Sequence, residues 1–275
     1  PLSPQIAFTS SARSPFDQVA VEEIARDLMD NPRPCTKGEL MQDNMQLVPG
    51  TDDWRIWHLP KPEHEYLVTI DSAHGVEDGD FSCIQVLDRT DRVQVAEYYA
   101  RQPPDIAARQ AAIAGRAYNH ALLVPEIDGP GLAVVRELLD IDKGNGYTNL
   151  YIRSTSGNWT QRFGFRTQSK GQREAAIAAL AKAIRLKSWT FNSLRLLGEC
   201  KTFIETMRGR AEAMPGAHDD AVMAMAIALY LDSELGDASY SEPYIERKEL
   251  PRDAVANFLS VTPDEDRDPH LGTVW

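Results

Sequence analysis

Six carboxylates stand where the pattern of the chain changes. Asp71 closes the apolar run Tyr66-Leu67-Val68-Thr69-Ile70, and Asp80 comes just before a second run, Ser82 to Leu87. Glu126 closes Ala121-Leu122-Leu123-Val124-Pro125, with Asp128 two residues beyond. Asp219 and Asp220, preceded by His218, open a long apolar stretch. Singly, each has an ordinary explanation, because Asp closes turns and caps helices. Crowded together they do not, because neighbouring carboxylates repel strongly unless a cation sits among them, so their convergence implies a divalent metal site. All-oxygen ligands suit Mg²⁺ or Mn²⁺ better than zinc. Two such ions activate water and stabilise the leaving oxygen of a phosphodiester.

The elements that must position these acids follow from the periodicity. An apolar, β-branched run ending in an acid reads as a buried strand that delivers one carboxylate to the edge of a sheet. Gly75 and Gly79, with Glu77 and Asp78, make 72–79 turn chemistry, so the first two runs form a hairpin with an acidic mouth. Val93, Val95 and Tyr98 mark a third strand. Pro103-Pro104-Asp105 starts a helix to about His120, followed by the buried strand ending at Glu126. Gly129-Pro130-Gly131 turns the chain into a helix over Leu132 to Leu139, and Asn149 to Arg153 reads as a short strand. The order β-β-β-α-β-α-β predicts an α/β fold: a mixed sheet, antiparallel for its first three strands and parallel after, flanked by helices. In such sheets reactive groups gather at strand ends.

Two amphipathic helices are expected next, over Gln172 to Lys187 and Leu194 to Met207. The stretch Ala221 to Leu231 has no polar side chain but the Tyr230 hydroxyl, and a helix apolar all round is buried. Its N-terminus therefore lies deep against the sheet. Capping explains one of Asp219 and Asp220 but not two acids and a histidine together. The dipole at that end also favours an ionised carboxylate.

The flanks are less regular. Phe16 to Met29 carries helical spacing, and Trp54-Arg55-Ile56-Trp57 alternates like a short edge strand. From Gly236 to Trp275 there are nine acids against four bases, with turn-rich composition suited to an acidic tail that folds on binding at most. The net charge of −12 is unevenly spread: Arg153 to Arg210 holds twelve bases against three acids, a block of +9 that leaves −21 elsewhere. Polyphosphate binding needs a local positive surface rather than a positive protein, although a solvated helical face explains the block equally well. Trp159, Phe163 and Phe165 interleave with Arg162, Arg166 and Lys170, which suits contact with nucleic acid or packing of the rings onto the sheet. Cys35, Cys83 and Cys200 have no CxxC partner, so neither a disulfide framework nor a cysteine zinc site is expected. No Gly-Lys dipeptide is present, so no phosphate-cradling loop and no nucleotide site is expected. No run of eighteen apolar residues predicts a membrane span, and the chain is expected to be soluble and unexported.

With Tyr66 to Asp71 plus Asp80, Pro125-Glu126-Ile127-Asp128-Gly129, and Gly216-Ala217-His218-Asp219-Asp220-Ala221-Val222, the sequence resembles the nuclease domain of the large terminase subunit of tailed bacteriophages, in the RNase H-like superfamily. The similarity runs from about Trp54 to Leu235. It implies an RNase H-like nuclease domain over 61–235, a lead-in from an ATPase domain over 1–60, and an acidic tail over 236–275. It also implies an Mg²⁺- or Mn²⁺-dependent endonuclease that cuts concatemeric viral DNA in the host cytoplasm. Asp71, Glu126 and one or both of Asp219 and Asp220 would be catalytic metal ligands, and Asp80 a further ligand. His218 and Asp128 would be auxiliary; the family often has Asn at the position of Asp128. Arg153, Arg162, Arg166, Lys170 and Arg173 would hold duplex DNA, and the portal protein and small terminase subunit would be partners. Two rivals stay open. A Holliday-junction resolvase or strand-transferring integrase would share the carboxylates, whereas a non-catalytic DNA-binding or docking domain would not need metal or Asp71.

Overall fold

Strand β4 (Tyr66–Asp71) is the axis of the molecule, buried along its first five residues because both faces of the sheet are covered. In the computed structural model, which describes residues 13–40, 47–48, 51–140, 146–153, 163–206 and 209–236, β4 pairs antiparallel with β5 (Ser82–Asp88) and parallel with β7 (Leu122–Pro125). β5 pairs antiparallel with β6 (Val93–Ala100), which completes the expected meander. The sheet then extends past β6 through β3 (Trp54–Ile56), β1 (Thr36–Leu40) and β2 (Leu47–Val48), giving seven strands in the order β2-β1-β3-β6-β5-β4-β7. The expected short strand at Asn149 to Arg153 is reduced to bridges: Leu150 lies parallel to Leu123, and Ile152 antiparallel to Phe163.

Alternation along the strands divides the core in two. Leu67, Cys83, Leu87 and Val124 face one cluster, with α1 (Gln18–Asp30), α4 (Gln172–Leu186), α5 (Leu194–Thr202) and α6 (Asp220–Leu235). Tyr66, Val68, Ile70, Ile84, Val86 and Leu123 face the other, against α2 (Pro104–Ala117) and α3 (Gly131–Leu139). The buried stretch Ala221 to Leu229 of α6 lies along β4 and β5, and the one polar side chain in the middle of β4, Thr69, donates to the Ala224 carbonyl at 2.8 Å. That bond satisfies a hydroxyl with no access to water. Among the described residues no helix is long and apolar enough to cross a membrane, and the three cysteines are free.

Two expectations need correction, and one open choice is resolved. Trp54 to Ile56 is an interior strand rather than an edge one, held on both sides by β1 and β6. Trp54 is fully buried, with its indole N–H donating to Gln110 Oε1 at 2.6 Å. The helix expected over Leu194 to Met207 stops at Thr202, where Phe203-Ile204-Glu205 becomes β8, paired with β9 (Ala211–Ala213). An aromatic followed by a β-branched residue prefers a pleated surface, and Phe203 packs on Phe16 with ring centroids 5.5 Å apart. Phe163 and Phe165 are core side chains, each 2% exposed, so packing is their role. Trp159 and Arg162 lie outside the described residues, as do 237–275 and the tail expectation resting on them.

Candidate active site

Two neighbouring parallel strands supply the first pair of carboxylates. Ile70 stands opposite Pro125, so Asp71 ends β4 beside the point where Glu126 leaves β7. The Glu126 N–H donates to the Ile70 carbonyl at 2.9 Å, which continues the ladder one step and fixes the turn. Glu126 thus lies close enough to disfavour the charged form of Asp71. The Asp71 carboxyl is lifted well above the usual carboxylate range, first by loss of solvent, then by Glu126, and further by Asp220 and Asp219. The four acids therefore act on one another.

The turn that carries Glu126 leaves no spare room. A Cβ on Gly131 would stand 1.7 Å from the Glu126 carbonyl oxygen, so the start of α3 can approach this turn only as glycine. Gly164, at φ +68°, passes the Pro125 carbonyl with equally little space: a Cβ there would lie 2.4 Å from that oxygen. Thr167 Oγ1 contacts Glu126 Oε1 and lies 3.0 Å from Asp128 Oδ2. Asp128 also accepts from the Gln168 N–H at 2.7 Å and pairs with Arg166 at 3.2 Å. It thus ties the 166–168 loop to the back of Glu126.

The second pair opens α6. Asp219 holds the N-cap position, yet its side chain makes no cap hydrogen bond. Instead Asp219 Oδ2 pairs with Arg173 at 3.1 Å, and the same guanidinium donates to the Ala211 carbonyl and meets Met223 Sδ. Asp220 Oδ2 accepts from the Phe81 N–H at 3.1 Å and lies 3.4 Å from the Tyr99 hydroxyl. Burial, with Asp80 and Asp219 nearby, pushes Asp220 up to about 7 against the lowering effect of those donors. The capping itself falls to Glu199 on α5, whose Oε2 accepts from the Val222 N–H at 3.0 Å while Oε1 accepts from Tyr99 at 2.9 Å. Burial raises Glu199 to about 8 and outweighs the two hydrogen bonds.

Asp80 and His218 join from the solvent side. His218 Nδ1 lies 3.5 Å from Asp80 Oδ1 and 3.7 Å from Asp220 Oδ2, and ligand atoms of all three fall within 4.8 Å of one another. The imidazole meets the Phe81 ring edge-on at 5.1 Å, and Phe81 stacks on Tyr99 at 4.3 Å. Among the described residues, His218 Nδ1 is a buried atom without a hydrogen-bond partner. Carboxylates crowded and buried enough to raise Asp71 and Asp220, with this nitrogen beside Asp80 and Asp220, fit a divalent cation among Asp71, Glu126, Asp219, Asp220 and Asp80. Of the expected bases, Arg166 and Lys170 are exposed, Arg153 is half-buried, and Arg173 is turned inward to Asp219. Tyr99, Thr167 and Glu199 escaped the sequence reading. Glu199 carries no local signal, being one acid on an amphipathic helix.

The terminase RNaseH-like domain family matches residues 68–231, a span that holds Asp71, Asp80, Glu126, Asp219 and Asp220. In fold, the chain is similar to the large terminase nuclease from thermophilic phage G20c with bound magnesium, at 20% identity and a TM-score of 0.52, over 71% of this chain and 98% of that one. The cobalt-bound form of the same G20c nuclease matches with the same identity, coverage and TM-score. No curated protein matches significantly. With the family spanning more than half of its length and the same fold in the G20c nuclease, this chain belongs to the terminase RNaseH-like domain family.

Proposed function

We propose that the chain is a metal-dependent endonuclease that hydrolyses phosphodiester bonds of double-stranded DNA, the nuclease part of a large terminase subunit cutting concatemeric viral DNA. The observation that carries this reading is the meeting of Asp71, Glu126 and the Asp219/Asp220 pair from three separate elements, each acid raising the proton affinity of Asp71. Asp71, Glu126, Asp220 and Asp219 would hold two Mg²⁺ or Mn²⁺ ions, with Asp80 as a further ligand. When bound, such ions supply charge against the phosphoryl oxygens and lower the pKa of water.

The chain's own residues do the rest. Asp71 and Glu126, at the ends of neighbouring strands, would hold the metal between them, and the burial and crowding that raise the proton affinity of Asp71 are what a cation would offset. Arg173 holds Asp219 through its ion pair, and the Phe81 N–H fixes Asp220. Thr167 and Asp128 orient Glu126 from behind. His218, between Asp80 and Asp220, orients water or a phosphate oxygen. Arg153, Arg166 and Lys170, with Arg162, hold the duplex through its phosphates, which positions DNA without reading its sequence. Work with the portal protein and small terminase subunit in the host cytoplasm belongs to the same reading.

The test is incubation of the chain with supercoiled plasmid in Mn²⁺, Mg²⁺ or EDTA, beside Asp71→Ala and Asp219→Ala/Asp220→Ala. Metal-dependent cutting that both variants lose is expected. A plasmid shifted on a gel but uncut in either metal would overturn the reading for the isolated chain, and joined or junction-specific products would reassign it to another RNase H-like chemistry.

A further inference from the structure

We propose that Glu199 is a positioning residue for the α6 acids, a cap supplied from another helix so that Asp219 and Asp220 need not cap their own. The inference rests on the metal-site reading above. A helix start leaves its first N–H groups without intrahelical partners, and an Asp at the N-cap ordinarily turns its side chain back to take one of them. Here that bond is missing at Asp219. The N–H that such a cap would take, on Val222, is taken by Glu199 Oε2 at 3.0 Å. The substitution has a consequence for both acids. Asp219 is left to Arg173, and Asp220 is approached by the Tyr99 hydroxyl, itself held by the other oxygen of Glu199 at 2.9 Å. One buried carboxylate, 7% exposed, thereby sets the helix end and the orientation of a side chain on it.

Without Glu199 the orphaned Val222 N–H falls to Asp219, the N-cap residue, whose side chain turns back as an N-cap Asp ordinarily does and leaves the other acids. Glutamine can keep the arrangement: its Oε1 accepts from Val222, and its amide donates to Tyr99, whose own proton then goes to Asp220. Leucine fills the space and keeps neither bond.

The experiment compares wild type, Glu199→Gln, Glu199→Leu and Asp71→Asn by calorimetric Mn²⁺ titration and thermal melting, with plasmid cutting measured alongside. Glu199→Leu is expected to weaken Mn²⁺ binding by about 10- to 100-fold, the range for removal of a residue that orients a metal ligand, with Glu199→Gln close to wild type. Adding Asp219→Asn to Glu199→Leu should then change Mn²⁺ affinity less than it does in wild type, because that ligand has already been withdrawn. If Glu199→Leu stays folded and binds Mn²⁺ as wild type does, the positioning role is refuted. If Glu199→Leu does not fold, a Glu199→Gln variant as weak for Mn²⁺ as Asp71→Asn refutes it instead. Failure of the underlying metal-site reading looks different: Asp71→Asn would then bind Mn²⁺ as wild type does, whatever stands at 199.

Discussion

Asp71 and Glu126 lie at the ends of adjacent parallel strands, one residue beyond the paired positions Ile70 and Pro125, and Glu126 adds to the burial that lifts the Asp71 carboxyl above its usual range. Glu126→Gln keeps the side chain's size and removes its charge. The variant is expected to melt no lower than wild type in EDTA, because it removes a like-charge contact. Plasmid cutting should fall by about 10²-fold or more, since losses up to that size already follow removal of groups that merely orient metal ligands. A variant that cuts at the wild-type rate would remove Glu126 from the proposed ligand set.

The same crowding sets a pH dependence for the metal-free chain. Asp220, ordinarily near 3.8, titrates at about 7 in the fold, Glu199 at about 8, and Asp71 well above its usual range. The folded state therefore keeps protons that the unfolded state releases above pH 4, so stability is greatest at the acid end and falls as pH rises from about 4 through 8. The melting temperature in EDTA should drop across that window, reflecting a stability change on the order of a few kcal/mol. Mg²⁺ or Mn²⁺ should restore it at pH 8, and Asp220→Asn should flatten the slope. A melting temperature in EDTA that rises over the same range would contradict the burial of these acids.

The strands that carry the site were legible because they are short apolar runs ending in an acid, and α6 was legible because eleven successive residues lack polar side chains apart from one hydroxyl. Such patterns say which elements are buried and hence where their ends must lie. They do not say which side chains meet there. Arg173 reads as one base in a positive block, and only the fold brings it to Asp219, 46 residues away. Glu199 reads as one polar position of a helix whose buried face is set by Leu196, Leu197 and Cys200, and its bond to Val222 is invisible in periodicity. The interior place of Trp54 was missed for a related reason: three alternating residues look alike on an edge and between neighbours, and the neighbour β1 is a weak TKGEL run.

Backbone approach gives a sharper test of the Glu126 turn. In Gly131→Ala the new Cβ would stand 1.7 Å from the Glu126 carbonyl oxygen, so the turn or α3 must shift. The expected cost is about 1 to 3 kcal/mol, the range for overpacking, with loss of most cutting activity even below the melting temperature. Gly129→Ala is the control. Gly129 has φ +65° but nothing within 4 Å of a Cβ, so the substitution costs about 1 kcal/mol of backbone strain without displacing Glu126. Equal cutting by the two variants would show that the position of Glu126 is not critical.

The bases divide into two classes that kinetics can separate. Lys170 is exposed, whereas Arg173 is mostly covered, with 16% of its side chain exposed and its guanidinium against Asp219, Ala211 and Met223. A phosphate contact releases counterions, so Lys170→Ala should weaken duplex binding at all sequences and reduce the slope of log affinity against log salt by about 1. Its cutting rate at saturating DNA should hold. Arg173→Ala should do the opposite: the salt slope stays, while cutting at saturating DNA falls and the Mn²⁺ requirement rises, because Asp219 loses its ion pair. Binding is measured in EDTA and cutting in Mn²⁺, so the two effects are read independently. A salt slope reduced by Arg173→Ala with Mn²⁺ dependence unchanged would return that residue to the DNA-contacting surface.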